Sequence, residues 1–382
     1  MTIKTTVGQL KQAIKATLAA VSAKSCDLHV SGDQLHIKAT SFMGFVRVKV
    51  DAEGFIDKEA VGTLNGAITN ALFGALSADA QVAISAVEGG LRLKFGGATI
   101  KLKYAEAATA SDDLFAAAST CKDHQLVAKS TGADLIRAFS SPQFYAAHND
   151  VRQYLCGVHI ENSDGVLSMT GTNGFMLNRV ESGIACLIDG FAAILPTAAA
   201  QAVDMVLAAG DSVEIYQTGS GEALKLVWKT DKLCWVTCLV LGKYPNCTAF
   251  YQGEMTAQTS DWPVSAKDLA NAVQRIRAIS EKPYVRLRVQ EGTLTVFSED
   301  SEQKVEIPLS DELKGMKMPY ERRNWEAAFS GEFVEQIARS VPRELMVLRK
   351  GPAESDRLYA RSLTSEGVVD SAWLSLVQPA RI

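Results

Sequence analysis

The segment TVGQLKQAIKATLAAVS (residues 6–22) predicts an amphipathic helix that begins after Thr6. A threonine hydroxyl in front of a helix can accept a hydrogen bond from the first free backbone N–H groups, and apolar residues then recur at helical spacing. The same pattern returns in TGADLIRAFSSPQF from Thr131 and in SAKDLANAVQRIRAIS from Ser265. Because these starts lie about 130 residues apart, we expect a structural unit that occurs three times along the chain.

Similar elements follow each of these helices. Apolar and polar residues alternate around a glycine-bearing turn, which predicts a hairpin. A second helix is expected from Leu64, from Pro196 and from Ser330, with Pro196 in the first helical turn, where its missing N–H is not needed. Another strand pair then closes each unit. The order helix, strands, helix, strands predicts an α+β fold with antiparallel sheet, divided into three similar domains at residues 1–124, 125–257 and 258–382.

The composition bounds the class of protein. Hydrophobic residues make up 47% of the 382 residues and charged residues 21%, which is enough apolar material for ordinary cores. No apolar run reaches the roughly 18 residues of a membrane span, and no apolar stretch follows the N-terminal lysines as in a secretory signal. The seven cysteines are scattered without a CxxC pair. We therefore expect a cytoplasmic protein with free thiols and no membrane contact.

Motifs of catalysis are missing from the sequence. It contains no GxxxxGK[ST], GxSxG or HExxH and no zinc-ligand spacing, and its five histidines do not cluster. The chain is therefore predicted to be no enzyme and to need no cofactor or metal. An α+β enzyme that uses scattered His and Asp stays open as an alternative, because catalytic groups can come together from distant positions.

Two neighbouring segments carry a family resemblance. AAHNDVRQYLCGVHIE (residues 146–161) and LSMTGTNGFMLNRVE (residues 167–181) resemble the D-x-R-x-x-L-x-G and T-D-G-x-R-L patterns of the bacterial DNA sliding clamp, the beta subunit of the replicative DNA polymerase. KYPNC (residues 243–247), RAISEKPYVRLRV (residues 277–289) and the terminal LVQPARI are also similar to segments of that family. The resemblance is strong over residues 145–181, moderate in the third repeat and only architectural in the first 125 residues.

The resemblance implies a processivity factor that does no chemistry. Members of this family form a six-domain ring as a head-to-tail homodimer, encircle duplex DNA without sequence preference, and bind the polymerase and clamp loader through short linear peptides. The implied location is the cytoplasm, in association with the nucleoid. The alternative function is a clamp-like scaffold that binds replication or repair proteins without encircling DNA.

Three sets of residues follow from the resemblance and the charge pattern. A peptide pocket on the second domain would be lined by Arg152, Leu155, Thr172, Gly174, Phe175, Met176, Leu177, Pro245, Phe250, Leu376, Val377, Pro379 and Arg381. DNA contact is predicted for Lys11, Lys15, Lys24, Arg137, Asn149, Gln153, Tyr154, Arg275, Arg277, Lys282 and Arg339. The dimer interface is predicted at Ile100, Leu102, Ala278 and Ile279. Ordinary core positions and a solvated helix face are the alternative interpretations.

The charge balance limits the strength of any DNA contact. The chain carries a formal net charge of −4, whereas affinity for phosphate comes mainly from Lys and Arg. The predicted helices are slightly basic in sum, so the positive charge lies where the resemblance would place DNA. We therefore expect weak, salt-sensitive binding.

The sequence also departs from the family pattern. An arginine is usual where Met176 stands, a polar or histidine side chain where Phe175 stands, and a basic pair where Thr197 and Ala198 stand. These differences leave the partner peptide and the strength of DNA contact open.

Overall fold

A computed structural model describes residues 1–105, 124–219, 221–252, 260–309, 324–351, 353, 355–363 and 369–380. The chain divides into two compact units. The first unit takes in residues 1–139, 160–167 and 183–241, and the second takes in residues 140–159, 168–182 and 242–382. The predicted division into three domains is a different one and stays a prediction.

Seven α-helices lie in the described residues: α1 (Val7–Ala20), α2 (Gly66–Phe73), α3 (Gly132–Phe139), α4 (Thr197–Val206), α5 (Thr248–Gln252), α6 (Ala266–Ile279) and α7 (Gly331–Ser340). All except the short α5 begin within two residues of a start predicted from the sequence, so these six helices are confirmed. None of the described helices is long and apolar enough to cross a membrane.

The described strands in chain order are β1 (Ile3–Thr6), β2 (Ser25–Gly32), β3 (Gln34–Ser41), β4 (Gly44–Val50), β5 (Glu53–Gly54), β6 (Ile56–Asn65), β7 (Gln81–Val87), β8 (Gly90–Phe95), β9 (Ala98–Lys103), β10 (Gln125–Thr131), β11 (Gly157–Ser163), β12 (Val166–Thr172), β13 (Met176–Ala185), β14 (Ala192–Pro196), β15 (Ser212–Thr218), β16 (Lys225–Lys229), β17 (Leu233–Cys238), β18 (Ser260–Ser265), β19 (Tyr284–Gln290), β20 (Thr293–Phe297), β21 (Lys304–Pro308), β22 (Trp325–Ser330), β23 (Leu345–Lys350), β24 (Leu358–Leu363) and β25 (Val369–Val377).

Local capping explains where the helices start. The Thr6 hydroxyl accepts from the Gln9 backbone N–H while the Gln9 side chain reaches back to the Thr6 N–H, which completes a capping box. The Thr131 and Ser265 hydroxyls accept in the same way from the residues three positions on. Pro196 differs from its predicted place, because it ends β14 and precedes the first residue of α4 instead of lying in the first turn.

Two sheets organise the first unit. One has five strands in the order β5-β1-β7-β8-β9, and the other has eight in the order β10-β15-β16-β17-β4-β3-β2-β6. The eight-stranded sheet is continuous because β17 pairs antiparallel with β4, joining residues 25–65 to residues 125–238. Trp228 and Trp235 stack in its core with ring centroids 5.3 Å apart, and the Trp235 indole N–H donates to the Ala20 carbonyl of α1. Helix α1 also packs against α4.

The second unit repeats this combination of antiparallel sheet and paired helices. Strands β13, β25, β24, β23 and β18 pair in that order, and β21, β20, β19 and β22 form a four-stranded sheet. Helices α6 and α7 pack against each other. Leu269, Val273 and Ile276 of α6 are buried at helical spacing within one apolar cluster. The predicted α+β class with helices on antiparallel sheet is confirmed.

Candidate functional site

A tight turn between β12 and β13 forms the centre of the candidate site. The buried Thr172 hydroxyl donates to the Met176 carbonyl at 2.6 Å and accepts from the Gly174 N–H at 3.1 Å. The Asn173 side-chain oxygen accepts from the backbone N–H groups of Phe175 and Met176. Gly174 has a φ of +92°, a conformation that favours glycine. The side chains of the turn thus fix the backbone that presents Phe175.

The C-terminal segment of the described chain holds this turn from the other side. In the β13–β25 ladder, Leu177 lies opposite Leu376 and Met176 opposite Val377. Beyond β25, the Gln378 N–H donates to the Phe175 carbonyl at 2.9 Å, and the Gln378 side chain donates to the Gly174 carbonyl at 3.3 Å. Two segments about 200 residues apart in sequence therefore form one surface.

An ion pair closes one end of the site. The Arg152 guanidinium donates to both carboxylate oxygens of Asp150, at 3.0 and 2.7 Å, and to the Asn173 carbonyl at 3.3 Å. The hydrogen bonds from Arg152 hold the pKa of Asp150 down at about 2, and Asp150 in turn raises the pKa of Arg152. Both side chains are therefore charged at neutral pH, and the guanidinium already has a carboxylate partner.

These elements enclose a mainly apolar cavity of about 160 Å³. It is smaller than the roughly 300–1,000 Å³ typical of pockets for drug-sized ligands, so it suits a few side chains rather than a whole small molecule. Its lining consists of Arg152, Tyr154, Leu155, Thr172, Gly174, Phe175, Met176, Leu177, Pro245, Cys247, Phe250, Leu376 and Gln378.

Most of the residues predicted for a pocket lie in this wall. Three do not. Val377 follows Leu376 on the strand and so faces the opposite side, where it is fully buried in the apolar core cluster. Pro379 forms an isolated bridge with Phe329 instead of contacting the cavity. Arg381 lies outside the described residues.

Sequence reasoning missed three lining residues. Gln378 stands two positions after Leu376, so the alternation of a strand could have placed it on the same face. Tyr154, for which contact with DNA stays a prediction, is half-buried and also lines the cavity. Cys247 follows the KYPN segment, and no pattern in the sequence marks its buried thiol as part of a pocket.

Phe175 is the most exposed large hydrophobic side chain of the wall. Its residue surface is 60% exposed, and its ring stacks on that of Phe333, with centroids 6.3 Å apart and planes at 24°. Phe333 lies near the start of α7. Across the cavity, the Phe250 ring lies under the Arg357 guanidinium, 4.7 Å from its centroid.

The residues predicted to contact DNA differ in how free their charges are. In the first unit Lys15 and Lys24 are exposed and Lys11 is half-buried, with no ion pair to a described residue, whereas Arg137 pairs with Asp134 at 2.7 Å. In the second unit Arg277 and Arg339 both bind the Glu335 carboxylate. The other predicted residues of that unit are the exposed Asn149, Gln153, Arg275 and Lys282.

The residues predicted for a dimer interface lie in both units. In the first unit Ile100 and Leu102 lie on β9, which is the edge strand of its sheet, as predicted. Leu102 is only 5% exposed and lies over Gly62 inside the unit, whereas Ile100 is half-buried. In the second unit Ala278 and Ile279 end α6, and Ile279 is 52% exposed. Ile100 and Ile279 therefore present apolar surface, and Leu102 belongs to the core.

Among the described residues no group of three or more His, Cys, Asp or Glu side chains could hold a metal ion. His29 and His36 face each other across the β2–β3 ladder, and burial, with help from Arg47, lowers the pKa of His36 to about 4. The described cysteines are free thiols, and Cys121 lies outside the described residues.

The candidate site thus combines apolar walls, a fixed turn and a cation that is paired with a carboxylate. Comparison with known proteins adds the following. No protein-family model matches the sequence. The beta sliding clamp of Proteus mirabilis is 24% identical over 254 residues, which cover 65% of this chain and 64% of that protein, so the match spans just under two thirds of the relative's length.

Solved structures of sliding clamps share the fold over the whole chain. The DNA polymerase sliding clamp of Pseudomonas aeruginosa has a TM-score of 0.78 at 18% identity and covers 100% of both chains. The DNA polymerase III beta subunit of Thermotoga maritima also has a TM-score of 0.78 at 18% identity, over 100% of this chain and 99% of that one. The chain therefore has the fold of the bacterial sliding clamps.

Proposed function

We propose that this chain is a DNA sliding clamp: a homodimeric ring that encircles duplex DNA and tethers the replicative polymerase, the clamp loader and other DNA-processing proteins. The observation that carries the proposal is the similarity of fold, which extends over the full length of this chain and of the sliding clamps. A closed ring keeps its hold on DNA by topology, so it needs no tight contact and no chemistry. The proposed location is the cytoplasm, on the nucleoid.

Open sheet edges support the ring. The five-stranded sheet ends at β9 and the four-stranded sheet ends at β21, and no described strand pairs with the outer side of either. Exposed strand edges pair readily with other chains unless they are covered. Pairing of β9 with β21 of a second copy would cover both, and such a head-to-tail contact, made twice, closes a ring. Three domains per chain, at residues 1–124, 125–257 and 258–382, would then give six domains around the hole.

Contact with DNA in this ring is proposed to be loose. Among the cations predicted to contact DNA, Arg137, Arg277 and Arg339 are already paired with carboxylates, and the net charge of the chain is −4. Because affinity for duplex DNA grows with the number of phosphates that are neutralised, such a surface binds weakly and loses affinity steeply with salt. Loose contact is what sliding requires.

The cavity beside Phe175 is the proposed docking site for partner peptides. Leu155, Leu177 and Leu376 supply apolar wall for the side chains of a bound peptide. Ten of the thirteen residues that the family resemblance predicts for a peptide pocket line this cavity.

A clamp-like scaffold that never encircles DNA is the second candidate. The pairing of Arg137, Arg277 and Arg339 with carboxylates favours it, because these cations then attract phosphate less. Both candidates use the same peptide cavity, so only a test of DNA topology separates them.

A test without a clamp loader uses linear duplex DNA that carries biotin at both ends. The protein is first allowed to thread on at low salt, streptavidin is then added to block the ends, and the salt is raised. Retention of a dimer of about twice 41.1 kDa on blocked DNA, with release from DNA whose ends stay free, is expected of a sliding ring. Equal release from both DNAs, or a strictly monomeric mass, would contradict the ring and favour the scaffold.

A further inference from the structure

The turn between β12 and β13 contains one of the two Asn-Gly dipeptides of the chain, Asn173–Gly174, and the other is Asn65–Gly66. In such a sequence the glycine nitrogen can attack the asparagine side-chain carbonyl, because glycine has no Cβ to shield its backbone. Whether the attack takes place depends on the groups around the two reacting atoms. These groups differ between the two dipeptides.

Two backbone N–H groups polarise the side-chain carbonyl of Asn173. Its oxygen accepts from the Phe175 N–H and from the Met176 N–H, both at 3.0 Å. Attack on the carbonyl carbon moves negative charge onto this oxygen, and donors that already point at it stabilise that charge without rearranging. The turn therefore holds this carbonyl as an oxyanion hole holds the carbonyl of a substrate.

The attacking nitrogen is accessible as well. The Gly174 N–H donates to the Thr172 hydroxyl at 3.1 Å, and this hydroxyl donates in turn to the Met176 carbonyl. Such a chain of hydrogen bonds draws the proton away from the nitrogen, and it leaves the faces of the peptide plane open to the carbonyl carbon. Gly174 is exposed, so water also reaches the turn.

Asn65–Gly66 has less favourable surroundings. The described donor to the Asn65 side-chain oxygen is the Ala67 N–H, at 2.9 Å, and the Gly66 N–H donates to the Lys24 carbonyl at 2.8 Å. Gly66 is half-buried at the start of α2, and a Leu18 methyl group lies 2.5 Å from the place of a Cβ. Crowding and the single described donor should keep this dipeptide intact.

We propose that Asn173–Gly174 is a site of spontaneous covalent modification. The Gly174 nitrogen forms a bond to Asn173 Cγ, the Cγ–Nδ2 bond breaks, and the side-chain nitrogen leaves as ammonia with the amide proton. Water then opens the resulting cyclic imide. Its addition to the side-chain carbonyl gives aspartate, and its addition to the backbone carbonyl gives isoaspartate, in which the side chain becomes part of the main chain.

Either product changes the candidate site. Aspartate places a negative charge near Arg152, whose guanidinium donates to the Asn173 backbone carbonyl at 3.3 Å. Isoaspartate lengthens the main chain of the turn by one methylene, which should separate the Phe175 carbonyl from the Gln378 N–H that lies 2.9 Å away. Modification would thus alter the surface around Phe175 whether or not the chain forms a ring.

The experiment incubates the full-length protein in mildly alkaline buffer and measures the conversion of each asparagine by mass spectrometry of proteolytic peptides. In the native protein we expect Asn173 to convert at least about tenfold faster than Asn65, because one oxyanion donor is worth roughly 10²–10³ in enzymes. The urea-denatured protein is the reference. There the two rates should agree within about twofold, since little structure remains around either dipeptide.

Thr172→Val tests the contribution of the hydroxyl that accepts from the Gly174 N–H, and it should slow the native conversion of Asn173 severalfold. Thr197→Val is the matched control, because it removes a buried hydroxyl with no hydrogen-bond partner among the described residues. It should leave the rate unchanged. Equal native rates at Asn173 and Asn65, or a native rate at Asn173 below its rate in the denatured chain, would overturn the proposal.

Discussion

Asp150 neutralises Arg152 at the edge of the cavity, so a substitution of Asp150 tests whether the Arg152 charge acts on a bound peptide. Asparagine at position 150 still offers a side-chain oxygen to the Arg152 N–H but removes the charge that occupies the guanidinium. We expect Asp150→Asn to raise the affinity for a peptide with an acidic residue severalfold while changing that for a neutral peptide little. Asp231→Asn, in an exposed turn of the first unit, is the control, and an unchanged ratio of the two affinities would show that Arg152 does not face the peptide.

The depressed pKa of Asp150 also predicts a pH profile. Its folded-state pKa of about 2 lies below the roughly 3.9 of an unfolded aspartate, so the stabilising pair is fully present above about pH 4 and is lost as the pH falls toward 2. Affinity for a neutral peptide should therefore be flat between about pH 8 and pH 5. A fall in anisotropy-measured affinity within that window would point to another titrating group in the site.

Glu335 neutralises two arginines on the helices of the second unit, as Asp150 neutralises Arg152. Its carboxylate, 13% exposed, binds both Arg277 and Arg339. In Glu335→Gln the neutral amide releases both guanidinium charges, so affinity for duplex DNA should rise severalfold. The slope of log K against log salt should steepen by about 0.9 for each phosphate gained. Glu332→Gln removes an exposed carboxylate from the same helix as the control, and equal slopes for the two variants would exclude Arg277 and Arg339 from DNA contact.

At the scale of the element, two hairpin glycines allow the effect of backbone strain to be distinguished from the effect of a contact with Arg152. Gly174 and Gly165 have φ of +92° and +86°, but a Cβ at Gly174 would lie 3.1 Å from the Arg152 guanidinium, whereas one at Gly165 would meet nothing within 4 Å. Alanine at either position should cost about 1–2 kcal/mol of unfolding free energy, measured by denaturant melts. Only Gly174→Ala should also weaken peptide binding. Equal peptide affinities for the two variants would mean that the position of Arg152 is unimportant.

Helix starts and turns that depend on hydrogen bonds between residues close in sequence could be predicted from the sequence. The starts of α1, α3 and α6 depend on hydroxyls three residues from their N–H partners, and these are visible in any window of four residues. The T-N-G turn could be placed for the same reason. Strand alternation, applied fully to β25, would have exchanged Val377 for Gln378 in the predicted pocket.

Pairs that join distant segments could not be predicted in this way. Phe333 meets Phe175, and Glu335 meets Arg277, only because sheet and helix packing bring different parts of the second unit together. The burial of Leu102 also depends on a neighbouring strand, since its side chain lies over Gly62, where any larger residue would collide with it. A single sequence does not indicate which of its distant residues come into contact, because that depends on how the chain folds.

At the scale of the whole molecule, the proposed ring stands on a contact between two copies, and Ile279 tests it. This side chain is 52% exposed at the end of α6, and an apolar group there should be buried when β9 and β21 of two copies pair. A lysine would place an unpaired charge in that interface, so Ile279→Lys should shift the mass in solution from dimer toward monomer and abolish retention on end-blocked DNA.

The control is Leu187→Lys, which changes a side chain that is 59% exposed in the first unit and should leave both readouts intact. Because the peptide cavity is untouched, Ile279→Lys should still bind an apolar linear peptide that fills this cavity. If Ile279→Lys remains a dimer that is retained on end-blocked DNA, the contact between the two copies does not involve the end of α6. If the variant also loses peptide binding, it is misfolded, and its loss of retention says nothing about the ring.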